Sequence, residues 1–185
     1  MKKILLALFF VFGGLIPHSV FAASGDTLVV FTPLHNEPTA LNFATLDTRN
    51  QHPVLDFRGD AIIEEAVFTG VMPRYYGSSG ITIYIHYSMG TATSGNIDWG
   101  AQFERIGDQQ QDIDDDGWGG TNTTNNTTVP GTSGDVDIIN ITFTDGVDMD
   151  SIAVGESFRL KVLRDGLTDT SEGDAELVAI EIQES

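Results

Sequence analysis

The sequence predicts an all-β protein: a single-domain, antiparallel β-sandwich of jelly-roll type. Three observations predict it. Apolar and polar residues alternate with a period of two along run after run, as a strand with one buried face requires. Clusters of Gly, Ser, Asn and Asp separate those runs, in a chain of 185 residues with 20 glycines, as frequent turns require. Helical periodicity is nearly absent; Asp148–Ala153 alone reads as one capped turn before Gly155. About seven to nine strands must pack as two sheets or a barrel, and connections of uneven length favour a jelly roll over a simple meander.

The elements follow in order. Thr27–Thr32 (TLVVFT) reads as a first strand, ended by Pro33. Leu34–Arg49, with Pro38 and scattered apolar residues, reads as a long irregular connection against the sandwich. His52–Phe57 and Ile62–Thr69 bracket a turn at Arg58-Gly59-Asp60. Ile81–Ser88 alternates most clearly, with Ile81, Ile83, Ile85 and Tyr87 on one face and Thr82, Tyr84, His86 and Ser88 on the other. In Asn96–Arg105 the inward set is Ile97, Trp99, Ala101 and Phe103; in Asp137–Thr144 it is Ile139, Ile141 and Phe143. Ser157–Leu163 turns Phe158, Leu160 and Val162 inward and Arg159 and Lys161 outward, and Glu176–Gln183 is expected to bury Val178, Ile180 and Ile182. Gly119–Val129 (GGTNTTNNTTV) suits either an edge strand with a polar face or a loop.

The start of the chain has the layout of a secretory leader. Lys2 and Lys3 precede Ile4–Ile16, an apolar run of roughly 13 residues, shorter than the roughly 20 that span a bilayer. Val20-Phe21-Ala22 suits a signal peptidase, so residues 1–22 are expected to be removed and 23–185 to form the domain. The product is then expected outside the cell or at its surface, with no membrane insertion after cleavage. With 27 acidic and 9 basic side chains the formal charge is −18. Such a surface repels nucleic acid and anionic lipid, and neither is expected as a partner. No cysteine is present, so stability rests on an apolar core rather than on disulfides.

Candidate sites are few. Asp112, Asp114 and Asp116, with Gly117, match the first half of an EF-hand loop, where alternate oxygens converge on calcium. Position twelve is Thr123 instead of a bidentate Glu. The segment therefore reads either as a weak calcium site, the one cofactor the sequence suggests, or as a solvated acidic turn. Tyr76 and Trp118 lie on turns and read either as rings for stacking on a sugar or as core. Glu64-Glu65 could be half of a carboxylate pair, but neighbours on a strand point to opposite faces, so a solvated outer face is expected; an inward Glu there would need a partner such as Arg58 or Arg74. No G-x-S-x-G occurs and no two histidines have metal-ligand spacing, so no enzymatic role is expected. Arg49 and Arg105 are expected to pair with carboxylates such as Asp47, Asp56 or Glu104.

Asn36-Glu37-Pro38, Asn42–Asn50, His52–Phe57, Gly70–Arg74, Ala92–Gly95, Phe103–Arg105, Phe143–Gly146, Phe158–Leu160 and Gly173–Leu177 carry a resemblance across nearly all of the span after the leader. On these segments the chain resembles a family of mostly uncharacterised jelly-roll-type proteins encoded in phage and bacterial genomes. The resemblance implies a compact structural or surface component and brings no catalytic residue with it. Phage-encoded relatives start directly at the first strand; the leader here departs from that and favours an exported bacterial version.

Two functions are expected from this. The first is a secreted, non-enzymatic structural protein that self-assembles into an extracellular filament, fibre or surface layer. Its first strand, Thr27, Leu28, Val29, Val30 and Phe31, would either complete a neighbour's sheet or pair within its own. The alternative is a lectin-like module that binds carbohydrate or another surface ligand through loops at one end of the sandwich.

Overall fold

The computed structural model describes residues 21–37, 39–60, 62–109, 112–114 and 117–185. Most of the leader-like segment lies outside them. Eleven strands form: β1 Thr27–Phe31, β2 Asn36–Glu37, β3 Thr45–Arg49, β4 His52–Phe57, β5 Ile63–Val71, β6 Ile81–Met89, β7 Asn96–Ile106, β8 Asn122–Thr128, β9 Val136–Phe143, β10 Ser157–Asp165 and β11 Ala175–Glu184. They make two antiparallel sheets. One has the order β3-β4-β11-β6-β9, with β1 beside the second half of β11; the other runs β2-β5-β10-β7-β8. From β4 onward every connection except β7–β8 crosses between the sheets, which is the jelly-roll signature and excludes a meander.

The predicted alternation supplies the core. Ile81, Ile83, Ile85 and Tyr87 of β6 are buried, as are Ile97, Trp99, Ala101 and Phe103 of β7 and Phe158, Leu160 and Val162 of β10. The two inner faces meet through aromatic edges: Trp99 packs against Phe57 and Tyr87, and Phe103 against Phe143 and Phe158. The 3-10 turn Val147–Met149 stands where the capped turn was expected. The Thr/Asn-rich segment forms β8, an edge strand.

Four expectations need correction. Leu34–Arg49 is not wholly irregular, because β2 and β3 form within it and close one edge of each sheet. The inward residues of β11 are Leu177, Ile180 and Ile182; a bulge between Leu177 and Ala179 inserts one residue and turns Val178 outward. Glu64 is not on a solvated face but points into the sandwich, 2 % exposed, where its partner is the expected Arg58: it accepts hydrogen bonds from Arg58 N at 2.7 Å and Nε at 2.5 Å. Arg49 and Arg105 do pair with carboxylates, but with Glu176 and Glu156.

Arg164 fastens the end where the strands of β10 and β11 are joined. Its guanidinium is fully buried and donates to Asp169, to the carbonyls of Phe57, Gly173 and Ser171, and to the Ser171 hydroxyl. One side chain thus ties the 165–174 connection to β4 of the opposite sheet.

Candidate binding face

The two outer faces of the sandwich differ in kind. On the five-stranded sheet, Lys161 pairs with Glu65 at 3.2 Å and Arg159 with Glu104 at 2.8 Å. Trp118 lies over both cations, 4.3 Å from Lys161 Nζ and 5.2 Å from Arg159 Cζ to the ring centroid. Gly119 N donates to Phe103 O at 2.7 Å, and Gln102 Nε2 to Gly119 O at 3.2 Å, so this segment is fastened across the sheet. That face is neutralised by its own ion pairs and capped.

The outer face of the six-stranded sheet is open. Its central rows follow from the register. Thr142, Thr82 and Gln183 form one row; Asn140, Tyr84 and Glu181 the next; Ile138, His86 and Ala179 the third; Val136, Ser88 and Glu176 the fourth. Ile138 and Val136 are 52 % and 56 % exposed. Among the described residues, none hydrogen-bonds the side chain of Tyr84, His86 or Asn140.

A depression marks each end of this strip. One, of about 380 Å³, has apolar walls from Val54, Val136 and Val178, with Arg49, Asn50, His52 and Ser88 around them. The β11 bulge is what delivers Val178 to it. The other, of about 350 Å³, is formed by Ser24, Thr82, Tyr84, Thr142, Gln183 and Ser185. From Ser88 to Thr82 the strand rises about 20 Å.

Charges on the face are held in place. Arg49 Nη1 donates to Glu176 at 2.5 Å and to Met89 O at 3.0 Å, while Nη2 donates to Ser133 Oγ at 3.0 Å. Gly134 has φ +88°, and a Cβ there would stand 2.8 Å from Arg49 Nη2, so this turn requires glycine on both counts. Hydrogen bonds from the Thr27 hydroxyl and Gln183, with His86 nearby, hold the Glu181 carboxyl below its ordinary range. Asp56, on β4, is pushed the other way. Burial first, then the charges of Asp174, Glu176, Asp47 and Glu64, raise its carboxyl to about 6. Its Oδ1 is buried and has no hydrogen-bond partner among the described residues.

The residues singled out from the sequence fall elsewhere. Tyr76 is 2 % exposed; its hydroxyl donates to Asp145 at 2.8 Å and accepts from Gly80 N at 3.1 Å, so the ring is core and not a stacking surface. Burial and the Asp145 carboxylate push its phenol up. Trp118 is half-buried on the capped face. Asp112 Oδ1 accepts from Asp114 N at 3.0 Å in an exposed turn, and Asp116 lies outside the described residues. Among the described residues no three His, Cys, Asp or Glu side chains are grouped to hold a metal ion. Thr27, Leu28, Val29, Val30 and Phe31 pair with β11 of their own chain, so donating this strand to a neighbour requires a swap. Glu64 and Glu65 point to opposite faces, one bound to Arg58 and the other to Lys161, and form no catalytic pair.

The open face was missed because Tyr84 and His86 stand on the polar side of the clearest alternation. An aromatic ring and an imidazole at i and i+2 on a solvent face were the available signal.

No protein-family model matches the chain. No curated protein matches either. Similar solved structures include the CBM22-1 xylan-binding domain of Paenibacillus barcinonensis Xyn10C, 14 % identical, covering 88 % of this chain and 96 % of that one at a TM-score of 0.47. The xylan-binding module CBM15 is 13 % identical over 85 % of this chain and 97 % of its own, with a TM-score of 0.46. A carbohydrate-binding module of Cellvibrio mixtus lichenase 5A, in complex with cellotriose, is 10 % identical over 86 % and 99 % at 0.44. The likeness is one of architecture and transfers no residue to this chain.

Proposed function

We propose that this protein is a non-enzymatic binding module for carbohydrate, working outside the cell, and that the outer face of its six-stranded sheet holds the ligand. The observation that carries this is the uncapped strip of Tyr84, His86, Ile138 and Asn140 between two depressions, its polar side chains without hydrogen bonds among the described residues, on a strongly acidic protein. Apolar side chains and an aromatic ring suit the C–H faces of sugar rings. Amide, imidazole and phenol groups suit their hydroxyls. Export is supported by the basic start and short apolar run of the leader-like segment. Among the described residues, no helix is long and apolar enough to cross a membrane.

Self-assembly into a filament through the first strand has less support. β1 is already hydrogen-bonded along β11, and Leu28 and Phe31 are buried in the core. A swap would first have to break those contacts.

Affinity electrophoresis tests the proposal. The chain is run through gels containing neutral plant or bacterial polysaccharides, beside a Tyr84→Ala variant. Retardation of the chain in at least one gel, with recovery of mobility in the variant, is expected. Unaltered migration of both proteins in every gel counts against it.

A further inference from the structure

Resting on that reading, we infer that the ligand is an internal stretch of an uncharged linear polysaccharide, lying parallel to the strands and filling both depressions at once. Three features lead there. The two depressions sit over opposite ends of the same strand: Ser88 of β6 borders one, and Thr82 and Tyr84 the other. The middle row is low on one side, because β11 contributes only Ala179 beside His86. The strip spans three strands, β11, β6 and β9, about 10 Å across, which admits one sugar chain and not a sheet of chains.

Charge selects among sugars. The cation at the valine-lined end, Arg49, is committed to Glu176, and Asp56 lies beside that pair. Near the other end stands Glu181, while the Glu184 carboxylate is buried and accepts from Gly77 N and Ser79 N. A polyanionic chain would add like charge beside the Asp56, Glu176 and Glu181 carboxylates on a protein of formal charge −18, whereas a neutral one meets oriented hydrogen-bond acceptors.

The structure also divides the work between the ends. Tyr84 and Asn140 stand in one row, and Val54, Val136 and Val178 meet two rows away. A short sugar reaches one set, and only a longer one reaches both.

Isothermal titration of the full chain with neutral oligosaccharides of two to six units, from the polysaccharide that retards it, tests this. Affinity is expected to rise about tenfold or more from the shortest to the longest. Borohydride reduction of the chain end is expected to change nothing. Tyr84→Ala and, separately, Asn140→Ala should flatten the length dependence, with unfolding curves confirming that each variant is folded. Full affinity for a disaccharide, or loss of binding on end reduction, overturns the internal-segment inference while leaving carbohydrate binding standing. Stronger binding to a uronic-acid polymer overturns the charge argument. Absence of binding to every glycan overturns both this inference and the reading beneath it.

Discussion

Asp56→Asn isolates the electrostatic cost built into the edge of the binding face. Asp56 lies opposite Glu176 in the β4–β11 register, its Oδ1 has no hydrogen-bond partner among the described residues, and its carboxyl is raised from 3.8 to about 6. The folded protein therefore holds this proton more firmly than the unfolded chain does. Between about pH 4 and 6 the folded state binds more protons, so the Asp56 contribution to stability falls as pH rises through that window. Above it the full penalty is present. A shift of about two units corresponds to about 3 kcal/mol, and solvent screening of a carboxylate that is only partly buried reduces this to about 1–2 kcal/mol. Asn keeps the shape and removes the ionisation. Urea unfolding followed by tryptophan fluorescence, at intervals from about pH 4 to 8, measures the difference between the two proteins, in which the other carboxylates cancel. Asp56→Asn is expected to be more stable by about 1–2 kcal/mol at pH 8, with the advantage vanishing near pH 4. A less stable variant at pH 8, or a difference independent of pH, refutes the reasoning.

Three further perturbations test the surrounding structure. Arg164→Met leaves the buried Asp169 carboxylate without its guanidinium and frees the 165–174 connection from β4; a loss of about 3–5 kcal/mol is expected in urea unfolding, and a change under 1 kcal/mol contradicts it. Gly134→Ala forces a side chain into φ +88° and against Arg49, so a loss of about 1–2 kcal/mol and weakened retardation in the polysaccharide gel are expected together. Trp118→Ala removes a ring from the opposite sheet; gel retardation should be unchanged and stability should fall by no more than about 1 kcal/mol, whereas loss of binding would move the site to the five-stranded sheet.

The fold was legible where polar and apolar residues alternate. In β6, β7, β9 and β10 the period of two names the inner residues correctly, even where, as at Asp98, Glu104 and Lys161, the outward polar side chain is itself covered. It fails at Val178, since a bulge resets the period within β11 and leaves no local mark in the apolar run Leu177–Ile180. Of the adjacent Glu64 and Glu65 it is Glu64 that turns inward, and its partner is Arg58, one of the two cations expected for an inward Glu. Partner choice is a matter of long-range geometry: Arg49 meets Glu176 across 127 positions, beyond any local pattern. The candidate site was less legible than the fold. Loop aromatics attracted attention, yet Tyr76 fills the core and Trp118 caps its own cations. The residues that make the open face belong to ordinary-looking strands and acquire meaning only when β11, β6 and β9 are set side by side.

Backbone amide shifts in an isotope-labelled sample, followed as the retarding polysaccharide's hexasaccharide is added, test the central claim most directly. Changes concentrated at Tyr84, His86, Ile138 and Asn140, with β10 unmoved, are the predicted result. Changes concentrated around Lys161 and Trp118, or at the loops between the sheets with β6 and β9 silent, contradict it.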